Sequence, residues 1–277
     1  MASRCYLMSV SEFWEGVAGE RLLKAALERV DNDRRKRAEG MKAGKTQAAC
    51  VGAGLLLQLA VQDALTAVSG TDVSGMVDGE TDAIEREADL TSDAKGQSWW
   101  LAEDIGADCA TGVKGLRVFS ALQVMEFVER PIELIMHYEK KGKPYLREYP
   151  LFFNLSHSGE YVVCAVSDRE IGVDIQKCSG MNIMRIAKRF FSEEECRALE
   201  ACATEEERRH FFFRLWVRKE AYGKFLGEGI SGVVSANLLP DESLSIAERE
   251  LLWHEWSFPE GYRIAMCQLA QVSDAAS

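Results

Sequence analysis

The stretch from Leu151 to Gln176, LFFNLSHSGEYVVCAVSDREIGVDIQ, limits the folds open to this chain. Two β-branched and aromatic runs, Leu151–Leu155 and Tyr161–Ser167, flank Ser-His-Ser-Gly, a turn signature, so the spacing predicts short strands joined by a turn. A third strand is predicted at Ile171–Gln176, where the side chains alternate. Ile171, Val173 and Ile175 point one way, and Gly172, Asp174 and Gln176 the other. The apolar face suits a core. The opposite face can offer a carboxylate and an amide oxygen to a hard cation such as Mg²⁺, or simply meet water.

A helix is predicted over Leu215–Lys224, LWVRKEAYGK. Trp216, Glu220 and Lys224 recur at every fourth position and share a face. A glutamate there can share a metal with Asp174, and the lysine one turn on can meet an anion. Lys219 faces away from that line, which suits a structural or solvated role as well as a substrate contact. Other helices are expected at Gly19–Ala38, with a break near Asp31–Asp33, at Ala48–Val68, at Asn182–Phe190, and over about Glu205–Leu226, stopped by Gly227. Ser192 with Glu195 reads as a capping box opening one more. Strands are expected at residues 4–10, Val124–Val128, Ile132–Tyr138, Leu251–Phe258 and Tyr262–Leu269.

With 277 residues, 47% of them hydrophobic and 28% charged, the chain has material for one large domain or two small ones. No run is read as a membrane span or signal peptide. Eight cysteines form no C-x-x-C pair, so a zinc site is not expected, and a reducing cytoplasmic setting is. The net charge of −11 is concentrated between Ser69 and Gly112, where eleven acidic residues face only Arg86 and Lys95. That stretch reads as an acidic insertion or a partly disordered segment on a nearly neutral body; nucleic-acid binding is not suggested.

Four separated motifs then occur in order: Gly142-Lys143-Pro144, Ser156-His157-Ser158, Gly172 to Gln176, and Trp216 to Lys224. Together with Phe190–Glu195 (FFSEEE), they resemble the 4′-phosphopantetheinyl transferases of the Sfp type, over roughly the C-terminal half. The resemblance implies an α+β fold: a pseudo-twofold pair of similar α+β halves with the active site in the cleft between them. The halves would be residues 1–167 and 168–277, the second carrying the metal site. Length favours this single-chain arrangement, and hence a monomer.

The resemblance also implies an activity: transfer of the 4′-phosphopantetheine arm of coenzyme A to a serine of an acyl or peptidyl carrier protein. Mg²⁺, or Mn²⁺, would be held by Asp174, Gln176 and Glu220. Many relatives have Glu where Gln176 stands, and a solvent-facing glutamine is the competing reading. Lys224 would neutralise a phosphate, and Glu220 is the candidate base for the serine hydroxyl. Ser156, His157 and Lys143 would contact coenzyme A, with Lys45 and Lys36 holding its 3′-phosphate, although Lys36 and Lys45 also suit an ordinary solvated helix face. Two other readings remain open: a metal-dependent nucleotide pyrophosphate hydrolase, and a non-catalytic carrier-binding homologue.

Overall fold

A computed structural model describes residues 3–69, 115–180, 182–240, 245–246 and 249–270. Apart from Ser69, the acidic stretch expected at 69–112 lies outside the described residues. The architecture is α+β, with two four-stranded sheets packed face to face and a long helix on each outer side.

In the first sheet β1 (Arg4–Ser9) pairs parallel with β2 (Leu116–Phe119). It pairs antiparallel with β6 (Tyr161–Ser167), which in turn pairs antiparallel with β5 (Phe152–Ser158). The order is β2-β1-β6-β5, so β5 is an edge. The second sheet, β7 (Ile171–Lys177), β10 (Tyr262–Leu269), β9 (Arg249–Trp256) and β8 (Ser245–Ile246), is antiparallel throughout, with β7 at its edge. A small hairpin joins β3 (Met136–Tyr138) to β4 (Pro144–Leu146).

Period-two patterning explains the layers. Leu7, Val163 and Ala165 of the first sheet meet Ile171, Val173, Ile175, Ile264 and Met266 of the second in an apolar interior. The other face of the first sheet, with Tyr6, Met8, Val162 and Phe153, packs on the helix Lys45–Ser69. On the far side, Val217, Ala221 and Phe225 of the helix Glu205–Leu226 cover Ala265 and Cys267. Gly172 permits this approach, because a Cβ there would lie 2.1 Å from the Ala221 carbonyl oxygen.

The remaining helices are α1 (Gly16–Leu27), α2 (Asn32–Glu39), α4 (Ala121–Phe127), α5 (Ile183–Phe190) and α6 (Glu193–Glu200); Lys45–Ser69 is α3 and Glu205–Leu226 is α7. The break near Asp31 is real, since its carboxylate caps α2 by accepting the Arg34 amide at 2.8 Å. Two expectations are corrected. Val124–Val128 is not a strand. Ser120 and Gln123 form a capping box that starts α4, whose Val124 and Met125 are buried together with Val128 just beyond it. Of Ile132–Tyr138 only Met136–Tyr138 is strand. Within α3, Lys45–Ala67 is long and apolar enough to cross a membrane by length and composition, contrary to the sequence reading; here most of it is buried against the first sheet.

Candidate active site

Where the edge strands β5 and β7 run side by side, α7 closes a cleft of about 360 Å³. Its lining includes Ser156, His157, Asp174, Gln176, Trp216, Glu220 and Lys224. The structure therefore brings together the six residues assigned to this site from sequence, with Trp216 of the same helix face beside them, stacked on Phe212 with its ring centroid 5.9 Å away.

Asp174 is the buried centre of the site, 5% exposed. Its Oδ1 accepts from Ser156 Oγ at 2.6 Å and from Lys224 Nζ at 2.7 Å. Lys224 also donates to the Val173 carbonyl at 3.3 Å. Glu220, one turn before Lys224 on α7, has no hydrogen-bond or ion-pair partner among the described residues. Burial pushes its carboxyl above the usual carboxylate range, and the Asp174 charge adds to that against the pull of Lys224. His157 is held below the ordinary imidazole range, first by desolvation and then by the Lys224 cation, with Asp174 opposing.

Ser156 and His157 both line the cleft, but from opposite faces of β5. As strand neighbours they point to opposite faces. Ser156 shares the inner face with its cross-strand partner Val163, whereas His157 pairs with Val162 on the α3 side. The serine hydroxyl is spent on Asp174.

The lysines fall in different places. Lys143 lies outside this cleft; its ammonium is ion-paired with Glu170 and donates to the Phe225 carbonyl at 2.7 Å. It lines a separate hollow of about 450 Å³ with Tyr138, Tyr145 and Phe152, towards the opposite end of β5. Lys36 and Lys45 are exposed and do not line the Asp174 cleft. Lys45 stands 5.5 Å from the Trp14 ring centroid at the start of α3. A Cβ on Gly52 would contact Val10 and Met8, and Met8 is level with Val162 and His157 in the sheet. Lys45 thus lies towards the His157 end of the sheet, about 10 Å further along the helix axis than Gly52.

Lys219 is structural. Fully buried, it pairs with Glu195 at 2.8 Å and donates to the carbonyls of Val233, Val234 and Ala236. Glu195 caps α6 as its spacing implied, and also accepts the Leu238 amide at 2.8 Å. The sequence held the capping signal but no sign of this long-range pair. Arg218, 2% exposed, pairs with Glu255 at 2.6 Å. Two buried cations side by side on α7, tied to different elements, fix the helix rotation that turns Glu220 and Lys224 to the cleft.

Among the described residues no three Asp, Glu, His or Cys side chains gather as a metal-binding group. The cleft instead offers two carboxylates and the Gln176 amide. The Gln176 nitrogen donates to the Lys177 carbonyl at 3.1 Å, which leaves the amide oxygen as its coordinating atom. Two acids against one lysine, with Glu220 already strained towards protonation, form a hard-oxygen set that fits a divalent cation of the Mg²⁺ kind.

Residues 170–267 match the family model of the 4′-phosphopantetheinyl transferase superfamily. The chain is similar to the 4′-phosphopantetheinyl transferase psf-1 of Bacillus pumilus, 37% identical over 52% of this chain and 65% of that protein. It is 36% identical to a 4′-phosphopantetheinyl transferase of Bacillus subtilis and 34% identical to the 4′-phosphopantetheinyl transferase Sfp of Bacillus subtilis strain 168, in each case over 47% of this chain and 60% of the relative. The chain thus spans less than two thirds of the length of these curated relatives. The matched residues 170–267 carry Asp174, Gln176, Glu220 and Lys224, so this part of the chain is similar to the 4′-phosphopantetheinyl transferase superfamily.

Proposed function

We propose that this protein is a Mg²⁺-dependent 4′-phosphopantetheinyl transferase that converts an apo acyl or peptidyl carrier protein to its holo form in a reducing cytoplasm. The carrying observation is the convergence of Asp174, Glu220, Lys224, Ser156 and His157 on one cleft between two sheets, one built from residues before Asp168 and the other from residues after it. That division supports reading residues 1–167 and 168–277 as two halves, and a monomer as the working unit.

In this reading the serine oxygen of the carrier attacks the phosphorus next to the pantetheine arm. The bond to the second phosphate breaks, and adenosine 3′,5′-bisphosphate leaves with that bond's electron pair. Mg²⁺, when bound by Asp174, Glu220 and Gln176, supplies charge neutralisation at the diphosphate. Lys224, a half-buried cation that ends within reach of Asp174, adds a second positive charge for the leaving phosphate. Glu220, whose carboxyl burial holds above the usual carboxylate range in the metal-free protein, is suited to take the serine proton. His157, held neutral near pH 7, serves as a hydrogen-bond partner rather than a counter-charge. Lys45 and Lys36 are assigned to the 3′-phosphate, Lys45 from the His157 end of the sheet. Lys143, committed to Glu170, has the weakest claim to a substrate contact.

The test is the intact mass of an apo carrier incubated with this protein, coenzyme A and Mg²⁺, beside an Asp174→Ala control. A gain of one phosphopantetheinyl arm that the control lacks is the expected result. Coenzyme A consumed with no carrier modified would replace the transferase with a pyrophosphate hydrolase.

A further inference from the structure

β5 and β7 lie side by side as the outermost strands of different sheets, so no backbone ladder joins them. Side chains do so instead. Asn154 Oδ1 accepts from the Val173 amide at 3.1 Å, and Ser158 Oγ accepts from the Lys177 amide at 2.9 Å. Between these two rungs Ser156 Oγ donates to Asp174 Oδ1 at 2.6 Å. The three residues alternate along β5 and therefore share its inner face. The outer two rungs both span nineteen positions, so the strands run in the same direction at one fixed offset. Just past Ser158, the Glu160 amide donates to Tyr262 Oη at 3.3 Å, and a Cβ on Gly159 would lie 2.4 Å from that oxygen. The end of the hairpin is thereby tied to the second sheet as well.

We propose that Asn154 and Ser158 are positioning residues for the Asp174 carboxylate. They touch neither the cleft nor any reacting atom. They fix where β5 stands along β7, and so where Ser156 meets Asp174. A shift of one residue would turn Ser156 to the opposite face and present His157 or Leu155 in its place. The rungs also satisfy edge amides that a neighbouring strand would otherwise take: Asn154 is 5% exposed, and the bond it makes to Val173 is buried. Partners of a metal-binding carboxylate set its orientation and charge density, and their loss weakens metal binding without touching a ligand. This inference rests on the cation site put forward above.

The experiment reads Mn²⁺ binding directly, by the paramagnetic resonance of the free ion, in the parent protein and in Ser158→Ala, Asn154→Ala and Ser158→Thr. Thermal midpoints are recorded alongside. Ser158→Ala and Asn154→Ala are expected to bind Mn²⁺ about tenfold more weakly, and Ser158→Thr, which keeps the acceptor oxygen, to bind like the parent. Ser158 is half-buried, so its alanine variant carries the test if Asn154→Ala does not fold. Parent-like Mn²⁺ affinity in Ser158→Ala, even with a lowered midpoint, would reduce the ladder to a structural feature and overturn the proposal. A parent that binds no Mn²⁺ removes the cation site and this proposal together. A parent that binds Mn²⁺ but modifies no carrier removes only the transferase reading.

Discussion

Lys224 bonds Asp174 at 2.7 Å and leaves Glu220, its neighbour one helical turn away, with no ion pair among the described residues. The two acids of the site are therefore unlike before any ligand arrives. Asp174 is ion-paired and fixed by two donors. Glu220 is strained towards protonation by burial and by the Asp174 charge.

That strain predicts a stability effect. In metal-free buffer Glu220 has a folded-state pKa above its unfolded value, so its charged form subtracts stability at neutral pH. The penalty fades as pH falls through the raised pKa and is gone below the unfolded carboxylate range. Glu220→Gln is expected to raise the melting temperature at pH 7.5 by about 2 °C, with the gain vanishing near pH 4, and to abolish transfer. An equal gain at both pH values would show that charge is not its origin.

Gly172 controls how closely α7 approaches β7. A Cβ would lie 2.1 Å from the Ala221 carbonyl oxygen and 2.7 Å from the Phe225 amide nitrogen, both backbone atoms of the helix carrying Glu220 and Lys224. Gly172→Ala is expected to destabilise by about 1–3 kcal/mol in denaturant unfolding. It should also lower kcat at saturating coenzyme A, because the helix must retreat from Asp174. Retained stability and rate would mean that the helix yields at no cost.

His157 offers a local probe of Lys224. Desolvation and the lysine charge both hold its pKa down. Replacing the charge by Lys224→Met should raise the His157 pKa, read from its ring protons by nuclear magnetic resonance titration, while desolvation on the cleft side keeps it below the ordinary value. No upward movement would separate the two side chains electrostatically.

Lys219 and Glu195 form a fully buried pair, each 0% exposed. Removing one partner strands the other charge, so Lys219→Met is expected to cost about 3–5 kcal/mol of unfolding free energy. Adding Glu195→Gln should restore at least half of it, since the amide still accepts from the neighbouring backbone. If the double variant is no more stable than the single, the cost lies in packing.

Local periodicity carried much of the reading. Alternation along Ile171–Gln176 places Asp174 and Gln176 on the face opposite the core, and four-residue spacing aligns Trp216, Glu220 and Lys224, wherever these elements finally pack. The capping box at Ser192 and the stop at Gly227 were legible for the same reason: they are fixed by backbone geometry within one turn. Val124–Val128 misled because a short apolar run has no decisive period, and the Ser120–Gln123 cap settles it as helix.

What tertiary structure alone decided is which polar groups are already spent. Nothing near Lys143 in sequence announces Glu170 or the Phe225 carbonyl, and nothing near Lys219 announces Glu195 or the Val233–Ala236 carbonyls. The Ser-His-Ser segment, expected as part of a turn, is the end of strand β5, and its sequence does not show that its serines face a second sheet while its histidine faces α3. The sequence by itself determined which side chains share a face, because that follows from the repeat of a strand or a helix. Their partners lie fourteen to 82 positions away, and burial decides whether a charge there must be paired or is free to act.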